Sequence, residues 1–587
     1  MRGTSWWLSV AVLCALSACR LDLKGESLDE DDVEGRDPAD RIAAAADGRK
    51  TEEGDDLASG SALSCAAASV LRAAREYTDD MKQLSGAIHV TGDALLRGGE
   101  VTIAPGTTFI FDADSSLDIG WNSTRTTLTA LGTADKPIRF CSDQPGLGRW
   151  GGLRLSNGLT SDSVFQHAHV YDADGPALAV NAPVSVLDVT IHGSTGAGVV
   201  ASDFGEDSAR LTVTGAQGSA LLLTGQAAVH KLPKNSVFED NVDNTAHIRL
   251  REYNGGVVHL QNIGIPYVQD QDMIAYNVTL DFEAGIDYRF AADSGLDVGW
   301  NSGMATITVA GTAANPVVFS GVTEKPGSWM GINIGRNVST DSVLSHTQFL
   351  YGGTGRAPFS VYAKITLEDI LVADSATPPI IGVPLPATSK NFSVSGSAGV
   401  ALVSNMVSLT GIPRGGSFIG NAKDMIEVPD QTPLDSLGVA TIPNLGVPYY
   451  VTGDIEIGAG SDVTVEPGVE FVFKSGNPYH LLIGWNSTEV VFNALGTAAQ
   501  PIIFRGEKDD VGTWNGLSIG RAVSTDSVFD HIQVRNAGMF TESQVTIQNS
   551  SFTMSPGFGI VKTATNTSDY STTNTFTGNV MGDVGMF

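Results

Sequence analysis

The chain is short of positive charge. Its 587 residues hold 35 Lys and Arg against 65 Asp and Glu, a formal net charge of −30. Nucleic-acid backbones are held by basic stripes, and none is present, which excludes nucleic acid as a partner. Cysteine is scarce as well, with four in all, too few for a disulfide scaffold, and no His/Cys zinc spacing is present. No apolar run reaches the roughly 20 residues that a membrane-spanning helix needs. After residue 86 no long segment repeats apolar residues at helical spacing, which argues against a helical bundle. A Gly-rich phosphate loop, a GxSxG elbow and the calcium-binding nonapeptide repeat are missing.

What the chain does have is glycine (67 residues), 42% hydrophobic residues and only 17% charged ones. That balance supplies a large core with many turns and suits an all-β fold. The N-terminus, "MRGTSWWLSVAVLCALSAC", has one basic residue and then a short apolar run, the pattern of a secretory signal over residues 1–18. Its end, "LSAC", resembles the bacterial lipobox, which implies cleavage before Cys19, acylation of its thiol and a membrane partner reached through lipid. The expected place is the cell envelope of a Gram-negative bacterium, at the outer membrane or cell surface. Residues 19–60 are acidic and nearly free of aromatics, and read as an extended tether. Cys65 and Cys141 remain as candidates for a single disulfide. Residues 61–85, "SALSCAAASVLRAAREYTDDMKQLS", are Ala-rich, with Val70, Leu71, Ala74 and Tyr77 at helical spacing. They predict a helix that caps the first open sheet edge.

The rest of the chain is a repeat. "GWNS" stands at Gly120, Gly299 and Gly484, and about forty residues after each site align without a gap. Trp150, Trp329 and Trp514 follow at the same spacing, each after a Pro at 137, 316 or 501. The copies cover 86–264, 265–446 and 447–587, about 180 residues each, with the third shortened by roughly one coil. Within them, short alternating runs such as "TTLTAL" and "ATITVA" are strands with one inward face.

The pattern "VTIAPGTTFIF…LTALGTADKPIRF…RWGGLRL" and its two copies resemble bacterial right-handed parallel β-helix proteins of the pectin-lyase-like fold. The resemblance covers roughly 86–587. It implies a monomeric all-β solenoid of three-strand coils, built from three repeats, and leaves activity open. Pectate lyases of this fold carry a "WIDH" strand and an arginine segment. Here "VFDH" supplies Asp530 and His531, and the arginine segment is absent. Polygalacturonase and pectin methylesterase signatures are missing as well.

Three sets of residues are candidates for function. The repeated Trp121, Trp300 and Trp485 are either sugar-stacking platforms or plugs that cover coil corners. Asp530 and His531 are an acid and an imidazole, as are the pairs Asp162/His167, Asp341/His346 and Asp526/His531. An odd five-residue offset puts the members of each repeated pair on opposite faces of a straight strand. Asp112 and Asp114 in "FDADSSLD" are candidates for calcium. Residues 173–235 of the first copy have no close counterpart and are a further place for a unique site. The expected function is a lipid-anchored surface rod for adhesion or glycan binding, its partner a polysaccharide or another surface protein. The alternatives are a polysaccharide lyase or hydrolase and a plain envelope spacer.

Overall fold

A computed structural model describes residues 69–72, 76–77, 81–122, 125–301, 303–429, 437–476, 479–485 and 488–587. All of them belong to one compact unit. The expected signal, Cys19, the expected tether and Cys65 lie outside the described residues.

Alternating apolar residues form short strands, and each strand pairs in parallel with one about twenty to thirty-five residues later. The described residues hold just two short helices, Gln226–His230 and Met406–Leu409. This is the strand pattern of a parallel β-solenoid: the chain circles, and each coil stacks on the last at about 4.8 Å. Inward residues from successive coils form one continuous core, including Phe109, Leu117, Leu128, Phe140, Leu153 and Phe165, all fully buried. Each such side chain contributes about 1.5–3 kcal/mol on burial. Aromatic rings stack from coil to coil, as Phe109 on Phe140 at 4.9 Å and Phe319 on Phe349 at 5.5 Å.

Left-handed residues make the bends. In Val164–Ala173 the ladder to Ser185–Ser194 pairs Gln166 with Leu187, skips His167 and Asp188, and resumes at Ala168 and Val189. The skipped residues have φ of 45° and 53°. His346 and His531 repeat this backbone at 43° and 50°. The repeated "GT" motif packs against that bend. A Cβ on Gly132, Gly311 or Gly496 would fall 2.3–2.5 Å from the carbonyl oxygen of His167, His346 or His531, so only glycine fits.

The helix expected over 61–85 is not what the described part of that segment forms. Ser69–Arg72, Glu76–Tyr77 and Met81–Leu84 are strands. They pair with Ala87–Thr91, Asp93–Leu96 and Gly99–Ile103. Backbone pairing with the next coil outweighs the helix preference of alanine, because an unpaired sheet edge would leave a row of donors and acceptors unmet.

The copies do not stack in phase. Ser116–Ile119 lies in a ladder that runs on through Leu153–Leu155, Leu178–Val180, Val199–Ala201, Ser219–Leu223, Asp243–Ile248 and Tyr267–Gln269 to Asp287–Phe290. By sequence Asp287–Phe290 is the counterpart of Thr108–Phe111, the strand one face earlier. The next junction repeats the slip. Gly295–Val298, counterpart of Ser116–Ile119, lies in a ladder that runs on to Glu470–Phe473, again the counterpart of Thr108–Phe111. Each copy therefore begins one face further round the three-sided coil.

Candidate functional site

The two repeated tryptophans occupy opposite environments. Trp150, Trp329 and Trp514 are buried, and each stacks on a phenylalanine of the previous coil: Phe111, Phe290 and Phe473, at 4.0, 4.5 and 4.0 Å. Each indole N–H donates to a carbonyl of the following coil, on Tyr171, Leu350 or Arg535, at 2.7–2.8 Å. These are the corner plugs, and they leave the first tryptophan free of that task. Trp121 is 53% exposed and Trp300 54%, and Trp485 is half-buried.

Their backbone is nonetheless tightly held. Gly120, Gly299 and Gly484 sit at φ of 86°, 62° and 63°. A Cβ on them would come within 2.5–2.7 Å of the side chains of Leu159, Val338 and Val523. A Cβ on Gly335 or Gly520 would strike the Cα of Trp300 or Trp485. A tightly packed corner thus presents an apolar ring to water. Tyr362 stands edge-on to Trp300 and Phe540 tilts against Trp485, both at 5.9 Å. Neither neighbour is signalled by the motif, since each comes from two coils later in the chain.

The repeated acid and imidazole do not meet. Asp162, Asp341 and Asp526 are exposed at the turn before the strand. The buried member of "DSV" is the serine: Ser163, Ser342 and Ser527 accept the backbone N–H of Leu128, Ile307 and Phe492, 35 residues earlier, at 3.0–3.1 Å. His167 and His346 instead lie 3.8 and 3.7 Å from Asp188 and Asp369 of the next coil.

Asp530 does meet its neighbour, with His531 Nδ1 2.8 Å from its Oδ1. Its oxygens also accept from Gln548 and Asn549 at 3.1 and 2.9 Å. Partial burial pushes the Asp530 pKa up, but the hydrogen bonds from Asn549 and Gln548 and the nearby His531 outweigh it and hold the carboxyl below its usual range. A carboxylate so occupied is a poor proton acceptor, and the arrangement ties two coils together.

Asp112 and Asp114 part company. Asp114, at φ 63°, forms a turn and is exposed. Asp112 accepts from His89 at 2.6 Å and, with Asp143, completes a cluster whose donor atoms lie within 4.8 Å of one another. One imidazole and two carboxylates suit a borderline cation such as zinc better than calcium, which takes oxygen ligands alone. The counterparts of His89, Asp112 and Asp143 in the second copy are Val268, Ala291 and Val322. That contrast was the available sequence signal for His89 and Asp143.

A ring cluster joins His192, from the unmatched part of the first copy, to His169 and Tyr171 just before it. His169 Nδ1 and His192 Nε2 are 3.0 Å apart, and Tyr171 stacks on His192 at 4.6 Å. Burial, with the neighbouring His169, lowers the His192 pKa to about 4. Cys141 is 6% exposed. Its proposed partner Cys65 lies outside the described residues.

No helix among the described residues is long and apolar enough to cross a membrane. No protein-family model, curated protein or solved structure matches the chain.

Proposed function

We propose that the chain is a lipid-anchored rod of the cell envelope, of the right-handed pectin-lyase-like type, that binds neutral glycans through its corner tryptophans. The exposure of Trp121 and Trp300 carries this reading. Half an indole left in water forgoes about 2–3 kcal/mol of burial. The corners keep the ring in all three copies even though Trp150, Trp329 and Trp514 already fill the corner core. A flat apolar face in water is what the C–H face of an equatorially substituted pyranose stacks on. The net charge of −30 repels polyanions and favours neutral sugars. The lipobox at Cys19 supports the anchor, and the acidic segment after it supports a spacer between lipid and rod.

A lyase or hydrolase has weaker support, because Asp530 is already occupied by neighbours and the arginine segment is absent. Neutral and acidic oligosaccharides on an array distinguish the readings. Retention of neutral hexamers, lost in the Trp121→Ala/Trp300→Ala/Trp485→Ala variant at unchanged melting temperature, is expected. Retention of no sugar would leave the spacer. Cleavage of a uronate polymer would favour the enzyme.

A further inference from the structure

We infer that the three tryptophan corners face three different sides of the rod, so that one chain cross-links separate glycan strands. This rests on the glycan-binding reading above and goes beyond it.

Trp121 follows the strand Ser116–Ile119, Trp300 follows Gly295–Val298, and Trp485 follows Leu481–Ile483. The ladder of Ser116–Ile119 continues into Asp287–Phe290, and Gly295–Val298 is the next strand along the chain, one face round. The ladder of Gly295–Val298 continues into Glu470–Phe473, and Leu481–Ile483 is again the next strand, one face further. Leu481–Ile483 belongs to a separate ladder, from Ile455–Ile457 to Gly582–Met586. Two steps of one face in a three-sided coil reach a third side, not the first. The three tryptophans therefore stand at three different edges, each about a third of a turn from the last.

The geometry decides how a long ligand binds. Sites along one side would let a single polymer lie across all three and gain avidity. Sites on three sides require a polymer to wind round the rod, which a stiff β-linked chain resists. Separate strands then occupy separate corners, and each rod becomes a junction.

The test uses hexamers of β-linked glucose and of N-acetylglucosamine with their soluble polymers, hydroxyethyl cellulose and glycol chitin. Calorimetry is expected to count three hexamers per chain with similar affinities. The matching polymer is expected to rise in viscosity on addition of the rod. Any single Trp→Ala variant keeps two junctions and still thickens the solution. Any pairwise variant binds one hexamer, melts with the parent and leaves the viscosity unchanged. Three hexamers bound with no thickening, and a polymer affinity at least a hundredfold above the hexamer's, would overturn the three-sided arrangement and leave glycan binding intact. Binding of neither hexamer would overturn the glycan-binding reading itself.

Discussion

An indole in a stacked coil gains most when it is buried against a ring of a neighbouring coil with its N–H satisfied. Trp150 meets both conditions, through Phe111 and the carbonyl of Tyr171, and Trp121 meets neither demand of the core at 53% exposure. Replacing Trp150 by Ala opens a cavity and orphans a carbonyl, and is expected to lose about 3–5 kcal/mol in a urea titration. Trp121→Ala is expected to stay within about 0.5 kcal/mol of the parent. Gly120→Ala should behave unlike a surface change. Its φ of 86° and the 2.7 Å approach to Leu159 predict a loss of about 1–3 kcal/mol in the same titration. His192 gives a pH signature. Its folded pKa of about 4 lies below the ordinary 6.5, so the fold favours the neutral ring. That stability is complete above pH 6.5 and is lost as the pH falls towards 4, because the unfolded chain takes up the proton first. In urea titrations across this window, His192→Gln should lose less stability than the parent, and equal slopes would refute the assignment.

At the scale of the element, the repeated serines join coils that the strands alone would leave loosely registered. Ser342 accepts the buried N–H of Ile307 at 3.0 Å. Ser342→Ala leaves that donor unmet, and is expected to lower stability by about 1–3 kcal/mol and to raise hydrogen exchange at Ile307. The alternation in "ATITVA" made the strand and its inward face readable from the sequence, since side-chain period alone sets them. The segment from Ser69 to Leu84 was not readable in this way. Alanine and helical spacing described its local preference, while the strands there are dictated by the edge offered by Ala87–Thr91 and its neighbours. The choice between the two tryptophans was hidden for the same reason. Which one enters the core depends on a phenylalanine in the previous coil, and "GWNS" carries no trace of it.

Over the whole molecule, stability is spread along the stack, so a local lesson such as Trp329→Ala should unfold its own copy before the others. The threefold repeat was plain in the sequence. The slip of one face at each junction was not, because it depends on how many strand segments a copy contains, and several are only two or three residues long. The decisive measurement is oxidation of the folded protein by N-bromosuccinimide, read residue by residue by peptide mass spectrometry, with and without the hexamer that calorimetry selects. Trp121 and Trp300 are expected to react first and Trp485 more slowly. Trp150, Trp329 and Trp514 should react only on unfolding, and the hexamer should protect the exposed set. Equal reactivity of Trp150 and Trp121, or rates that a saturating hexamer leaves unchanged, would contradict the assignment of binding to the corners.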